Sequence, residues 1–181
     1  MEVNGKNYAV LSLLGKGKGG YSWLVEDEGK RFVLKEIHHE PCDYYTFGNK
    51  LESERRDYGL LRAAGIRVPE MLEIDIKNER ILKEYIEGPT AMELVKSGTL
   101  PGWALAAAED MAALAMRAEL NIDYYPTNFI LCGGELWYID YECNPYDPQW
   151  DFENWGEAYW LNSPHSDAGS AGLPSDRPAR R

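Results

Sequence analysis

Positive charge is scarce in this sequence. Nineteen Lys and Arg stand against 30 Asp and Glu, a formal net charge of −11 with a sequence pI near 4.8. A duplex-binding protein needs a basic face to neutralise phosphates. None is available, so no nucleic-acid partner is expected. Cysteine is scarce too. Cys42, Cys132 and Cys143 are scattered, odd in number and form no CxxC pair. That argues against a zinc site or a disulfide framework and for reduced thiols in a cytoplasmic protein. Residues 1–8 are polar and lack the apolar stretch of a signal peptide. No apolar run approaches the length of a membrane span, so no membrane partner is expected. There is no GxxxxGK[ST] run, which excludes a Walker P-loop.

What is present is enough for one ordinary domain: 181 residues, 44% of them hydrophobic. Residues 8–14 and 21–26 predict strands around a glycine-rich turn at 15–20. Residues 31–37 alternate and predict a third strand. Residues 38–47 predict a loop. Leu51 to Ala64 predicts a helix stopped by Gly65. Strands follow at 71–76 and 80–86, turned at Lys77-Asn78. Gly88-Pro89 punctuates the chain. Beyond it the pattern predicts a short helix (90–96) and an Ala-rich helix (101–120) with Trp103, Met111 and Leu114 in the core. A hairpin (129–131 with 136–139) and a last helix from about Asp151 follow. From Ser163 the composition turns to Ser, Gly, Pro, Asp and Arg, which predicts a disordered tail over 163–181. Strands with one helix precede the Gly-Pro joint, and helices with a hairpin follow it. This predicts two lobes, 1–87 and 88–162, with a ligand cleft between them.

Four features carry chemistry. Gly15, Gly17 and Gly20 form GxGxxG between two strand patterns. By itself that is equally a plain hairpin turn. In a strand–loop–strand setting it is also the form in which backbone N–H groups cover phosphates. Lys35, in FVLKEI, lies in the next strand with the placement of a phosphate-binding lysine. Such a lysine needs a carboxylate. Glu54 shares the side of its helix with Leu51 and Tyr58, and Glu52 is the rival off that stripe. Last, Asp123 and Asn128 are spaced D-x4-N in NIDYYPTN. A hairpin follows at once, and Asp140 closes its second strand. A helix-to-strand turn also favours Asp and Asn, and a strand end tolerates Asp.

In this order the features resemble the protein-kinase and aminoglycoside/choline-kinase superfamily over roughly residues 8–160. The resemblance implies an α+β, two-lobed protein-kinase-like fold with a small, truncated helical C-lobe. It implies ATP and Mg2+ as cofactors, and transfer of the γ-phosphoryl group to a hydroxyl acceptor. It makes Asp123 the base that orients the acceptor hydroxyl, and Asn128 and Asp140 the metal ligands. It gives the nucleotide to Gly15, Gly17, Gly20 and Lys35, with Glu54 holding the lysine. It makes Glu84 to Ile86, in ILKEYIEG, the hinge that meets adenine. Asp140-Tyr141-Glu142 and the run YDPQWDFENWG look like choline- and aminoglycoside-kinase-like enzymes. By that match Asp151 is a supporting aspartate tying the last helix to the catalytic loop, where a plain helix N-cap is the alternative. About ten residues separate Asp140 from Asp151, too few for a regulated activation loop.

Two positions depart from the pattern. Asn121-Ile122-Asp123 stands where relatives have HRD or HGD. Tyr125 stands where they carry Lys, Ser or His. The expected function is therefore a compact atypical bacterial-type Ser/Thr kinase, with a small-molecule kinase or a nucleotide-binding pseudokinase as alternatives. Tyr141, Trp150, Trp155, Tyr159 and Trp160 are expected mainly in the core. Their alternative role is an aromatic box for a quaternary amine.

Overall fold

The computed structural model describes residues 1–17, 19–39 and 49–161. Cys42, most of the expected 38–47 loop and the expected disordered tail lie outside the described residues. The fold mixes helix and sheet around one five-stranded antiparallel sheet. The described chain divides into two compact units, residues 1–55 with 69–85, and residues 56–68 with 86–161.

In the first unit, a two-residue ladder, β1 (Glu2–Val3) with β2 (Lys6–Asn7), precedes the sheet. The sheet strands are β3 (Ala9–Gly17), β4 (Gly20–Asp27), β5 (Lys30–Ile37), β6 (Met71–Asp75) and β7 (Arg80–Glu84), in the order β3-β4-β5-β7-β6. The period of two sorts their side chains. Leu34 and Leu82 sit opposite each other and join Val3, Tyr8 and Val25 in one apolar cluster. The next residues, Lys35 and Ile81, are also opposite each other and belong to the other face, where Ile37, Ile81 and Leu51 cluster. Each fully buried Leu or Val contributes about 1.5–3 kcal/mol. β3 is an edge strand exposed along its whole length, and its pairing with β4 is broken by two register shifts. Such bulges blunt an edge against further pairing.

The turn from β6 to β7 is built on Asp75. Its carboxylate accepts from the Asn4 backbone N–H (2.8 Å), the Asn78 N–H (3.0 Å) and the Asn78 side chain (2.7 Å). These donors favour the charged form and hold the Asp75 pKa down at about 2, against the ordinary 3.8. Because the folded value is the lower one, Asp75 adds stability at neutral pH. That contribution begins to fade below the unfolded value near 4 and is gone once pH falls through about 2. In Asp75→Asn, melting temperature should therefore fall less steeply between pH 5 and pH 2 than in wild type, as thermal melts across that range would show.

Helix α1 (Lys50–Ala63) is capped by Asn49, whose side chain accepts from Glu52 N–H (3.1 Å). It ends at Gly65, φ +82°, where Ile66 N–H returns to Leu61 O (3.0 Å). In the second unit α2 (Ala91–Ser97) opens on a capping box between Thr90 and Glu93. Helix α3 (Gly102–Arg117) buries Ala104, Ala108, Met111 and Ala115. Trp103, expected in the core, lies one residue off that stripe and is 41% exposed. Strands β8 (Leu120–Ile122) and β11 (Cys143–Pro145) pair antiparallel, flanking the hairpin β9 (Phe129–Cys132) and β10 (Glu135–Tyr138). The expected last helix is a π-turn over Phe152–Gly156 followed by one turn of α-helix, α4 (Glu157–Trp160). Cys132 and Cys143 are free thiols, and no described helix is long and apolar enough to cross a membrane.

The Gly88-Pro89 joint docks on β9: Pro89 O accepts from Leu131 N–H (3.0 Å), and Thr90 bridges Ile130. A Cβ on Gly88 would stand 2.1 Å from the Leu131 carbonyl oxygen, so backbone would have to move. Gly88→Ala should cost about 1–3 kcal/mol, read from denaturant melts.

Candidate functional site

In the first unit the glycine motif is a continuation of the hairpin. Pairing runs through Gly15 with Ser22 to Gly17 with Gly20, so the expected turn over 15–20 is narrower than the pattern suggested. The three glycines differ in kind. A Cβ on Gly20 would meet the Glu36 carbonyl oxygen at 2.7 Å, so that glycine is required by the sheet itself. Among the described residues a Cβ on Gly15 would meet no atom within 4 Å, and on Gly17 only Gly20 O at 3.8 Å. Packing among the described residues does not require glycine at those two positions.

Lys35 projects from the α1-facing side of β5 and forms an ion pair with Glu54 of α1. Both side chains are largely buried, at 17% and 15% exposure. Glu54 Oε2 is buried with no hydrogen-bond partner among the described residues. Glu52 is exposed. Two residues, about half a turn of helix, thus separate the carboxylate on the lysine from the one in water. Glu84 closes β7, where its N–H donates to Glu70 O (2.9 Å) and its carboxylate accepts from Glu70 N–H (3.1 Å). Ile86, in the second unit, is buried.

In the second unit Asp123 follows β8. Its carboxylate accepts from Tyr125 N–H (3.1 Å), and its carbonyl accepts from the Asn128 side-chain amide (3.3 Å). Asn128 ends a 3-10 turn begun by Pro126, and its own carbonyl accepts from Ile139 N–H (2.9 Å), one residue before Asp140. The Asp140 carboxylate accepts from Tyr141 N–H (2.8 Å). Hydrogen bonds therefore draw Asp123, Asn128 and the end of β10 into one small loop cluster. The side-chain amide of Asn128 turns its N–H toward Asp123, which leaves Oδ1 as its acceptor atom.

Neighbouring residues hold this cluster. Asn121, 2% exposed, accepts from Asp147 N–H and donates to Trp150 O (2.9 Å), so it staples β8 to the segment after β11. Asp151 serves as the N-cap of the π-turn, accepting from Asn154 N–H (2.8 Å) and Tyr146 O–H (3.0 Å). Among the described residues the hydrogen bonds of its side chain stay within 146–154. A hydrogen bond that does run from the last segment to the 121–128 loop is Trp160 Nε1–H to Tyr124 O (2.8 Å). An indole is long enough to span to the loop, while the short Asp151 carboxylate is taken by the nearest N–H and O–H groups. Tyr141 and Trp160 are core residues. Trp150, Trp155, Tyr159 and Tyr125 form a partly buried row of ring contacts, spaced 5.1–6.1 Å between neighbours. Of the five rings expected mainly in the core, Tyr141 and Trp160 lie there, while Trp150, Trp155 and Tyr159 are only partly buried.

A loop carboxylate, an amide five residues on and a second carboxylate at the end of the next hairpin resemble the catalytic segment of protein-kinase-like proteins. The chain is similar to the KEOPS complex subunit Bud32 of Pyrococcus abyssi (strain GE5 / Orsay), 32% identical over 135 residues. The match takes in 70% of this chain and 61% of that relative, so the chain spans less than two thirds of its relative's length. The likeness supports the protein-kinase-like superfamily. No protein-family model matches the chain.

Proposed function

We propose that this chain is an ATP- and magnesium-dependent phosphotransferase that moves the γ-phosphoryl group to a hydroxyl of a protein Ser or Thr. Residues 1–87 act as the nucleotide-binding lobe and 88–162 as the catalytic lobe. The observation that carries the reading is the Asp123–Asn128–Asp140 cluster, stitched by the hydrogen bonds from Asn128 to Asp123 and from Ile139 to Asn128. The Lys35–Glu54 pair adds to it.

The chemistry follows from the residue types. Lys35, held by Glu54, neutralises phosphate oxygens, and Gly15 and Gly17 let the backbone approach them. Adenine meets the backbone around Glu84 to Ile86. Asp140 and Asn128 offer carboxylate and amide oxygens, the hard donors that magnesium prefers, with phosphate and water completing its shell. Bound there, the ion would supply charge neutralisation of the transferring group. Among the described residues no three acidic, His or Cys side chains converge on a metal position. A site completed by phosphate needs only these two. Asp123 accepts the proton of the acceptor hydroxyl as its oxygen bonds to the γ-phosphorus and the bond to the ADP oxygen breaks. Asp151 supports the site only through the turn it caps.

The partly buried ring row from Trp150 to Tyr159 suits a protein acceptor that docks beside the catalytic loop. The likeness to a subunit of a complex makes a protein partner the first place to look for that acceptor. The test is incubation with γ-labelled ATP and magnesium, alone and with cell extract, followed by separation of protein from metabolites. Label on protein is the expected result. Label on choline, an aminoglycoside or another small alcohol alone would transfer the reading to a small-molecule kinase. A second reading, a nucleotide-binding module without turnover, is favoured by Tyr125, whose ring packs on Tyr159 (5.1 Å) where relatives place a group that meets phosphate. Nucleotide binding with no label on any acceptor would support it.

A further inference from the structure

Tyr138 is completely buried, its ring against Phe129 on the paired strand at 5.3 Å between centroids. Packing alone would be met by phenylalanine. The hydroxyl, however, is used twice. It accepts from Asp123 N–H (3.3 Å) and donates to the carbonyl of Glu142 (2.8 Å). One oxygen therefore joins the residue read as the catalytic base to the segment two residues beyond the residue read as a metal ligand. That segment, 140–142, has no strand or helix of its own. Together with the bonds from Asn128 to Asp123 and from Ile139 to Asn128, the hydroxyl closes a ring of contacts around the loop.

We propose that Tyr138 is a positioning residue that fixes Asp123 and Asp140 in register through its hydroxyl; this rests on the phosphoryl-transfer reading above. The hydroxyl touches neither nucleotide nor acceptor and acts through the two backbone segments it bridges. Its value to catalysis is geometric: small displacements of reacting groups reduce rate with little effect on substrate affinity.

The experiment compares Tyr138→Phe with the wild-type full chain. Phenylalanine keeps the ring on Phe129, and a melting curve checks that the variant folds. Two readouts follow: kcat against KM for ATP with magnesium, and amide exchange at Asp123 measured by NMR. The expected result is kcat lowered about tenfold at an ATP KM within about twofold, with exchange at Asp123 faster by about tenfold. A merely structural tyrosine would lower the melting temperature and leave kcat per folded molecule unchanged, which overturns the proposal. Unchanged exchange at Asp123 overturns it as well, because the bridge would not then hold the loop. Absence of turnover in wild type strikes the phosphoryl-transfer reading instead, and the exchange measurement still decides whether the hydroxyl ties the two segments.

Discussion

Asp123→Asn should lower phosphoryl transfer by about two to four decades while leaving ATP binding close to wild type. The substitution is nearly isosteric. Asn keeps an Oδ1 that can accept from Tyr125 N–H, the bond that shapes the start of the loop (3.1 Å), and the backbone carbonyl that takes the Asn128 amide is untouched. What it removes is the carboxylate that receives the hydroxyl proton. A defect in loop geometry would lower affinity and rate together, whereas loss of the base lowers kcat alone. The measurement is kcat and ATP KM for both proteins, with the ATP-induced rise in melting temperature as an independent gauge of binding. Equal turnover in the two would remove Asp123 from its role.

Lys35→Met should abolish most of the rise in melting temperature that ATP with magnesium produces. A ligand bound only by the native state stabilises it by RT ln(1 + [L]/Kd), so a weaker Kd means a smaller shift. Without the ammonium, phosphate charge in that unit loses the cation held by Glu54. The substitution has a second effect. Glu54 already has one buried oxygen without a partner, and losing Lys35 strands the other. Removing one member of a buried pair costs about 3 kcal/mol, so the apo protein should melt lower too. The double variant Lys35→Met with Glu54→Gln separates the effects. Apo stability should recover in part, because the stranded charge is gone, and the ATP response should not. An undiminished ATP shift in Lys35→Met would rule out the lysine as a phosphate group.

Some of the architecture was legible because local physics specifies it. β4 and β5 alternate apolar and polar residues, and the observed strands match those patterns to within a residue or two. α1 was bounded by its Gly65 stop, and the 129–139 hairpin by Gly133 and Gly134, both at positive φ. β8 and β11 were not legible. Each has three residues and they pair across about twenty, so neither has room for a period to show. Trp103 was misplaced because its hydrophobicity was weighed without its angle on α3, where a stripe of alanines and Met111 faces inward. Asp151 was expected to reach the catalytic loop, and the nearer N–H groups of its own turn hold it.

The sequence by itself determined the order of chemical groups: glycines between strands, a strand lysine, a helical carboxylate, then D-x4-N, a hairpin and Asp140. Order along the chain is enough for this because strand and helix periods say which neighbours share a face. Tertiary structure alone decided which atoms meet. It gave Trp160 a hydrogen bond to the loop and set the Tyr138 hydroxyl between Asp123 and Glu142. Those partners are separated by 15–36 residues, except Tyr138 and Glu142 at four. A hydrogen bond is satisfied within about 3 Å, a tolerance far finer than any pattern of residue types can specify.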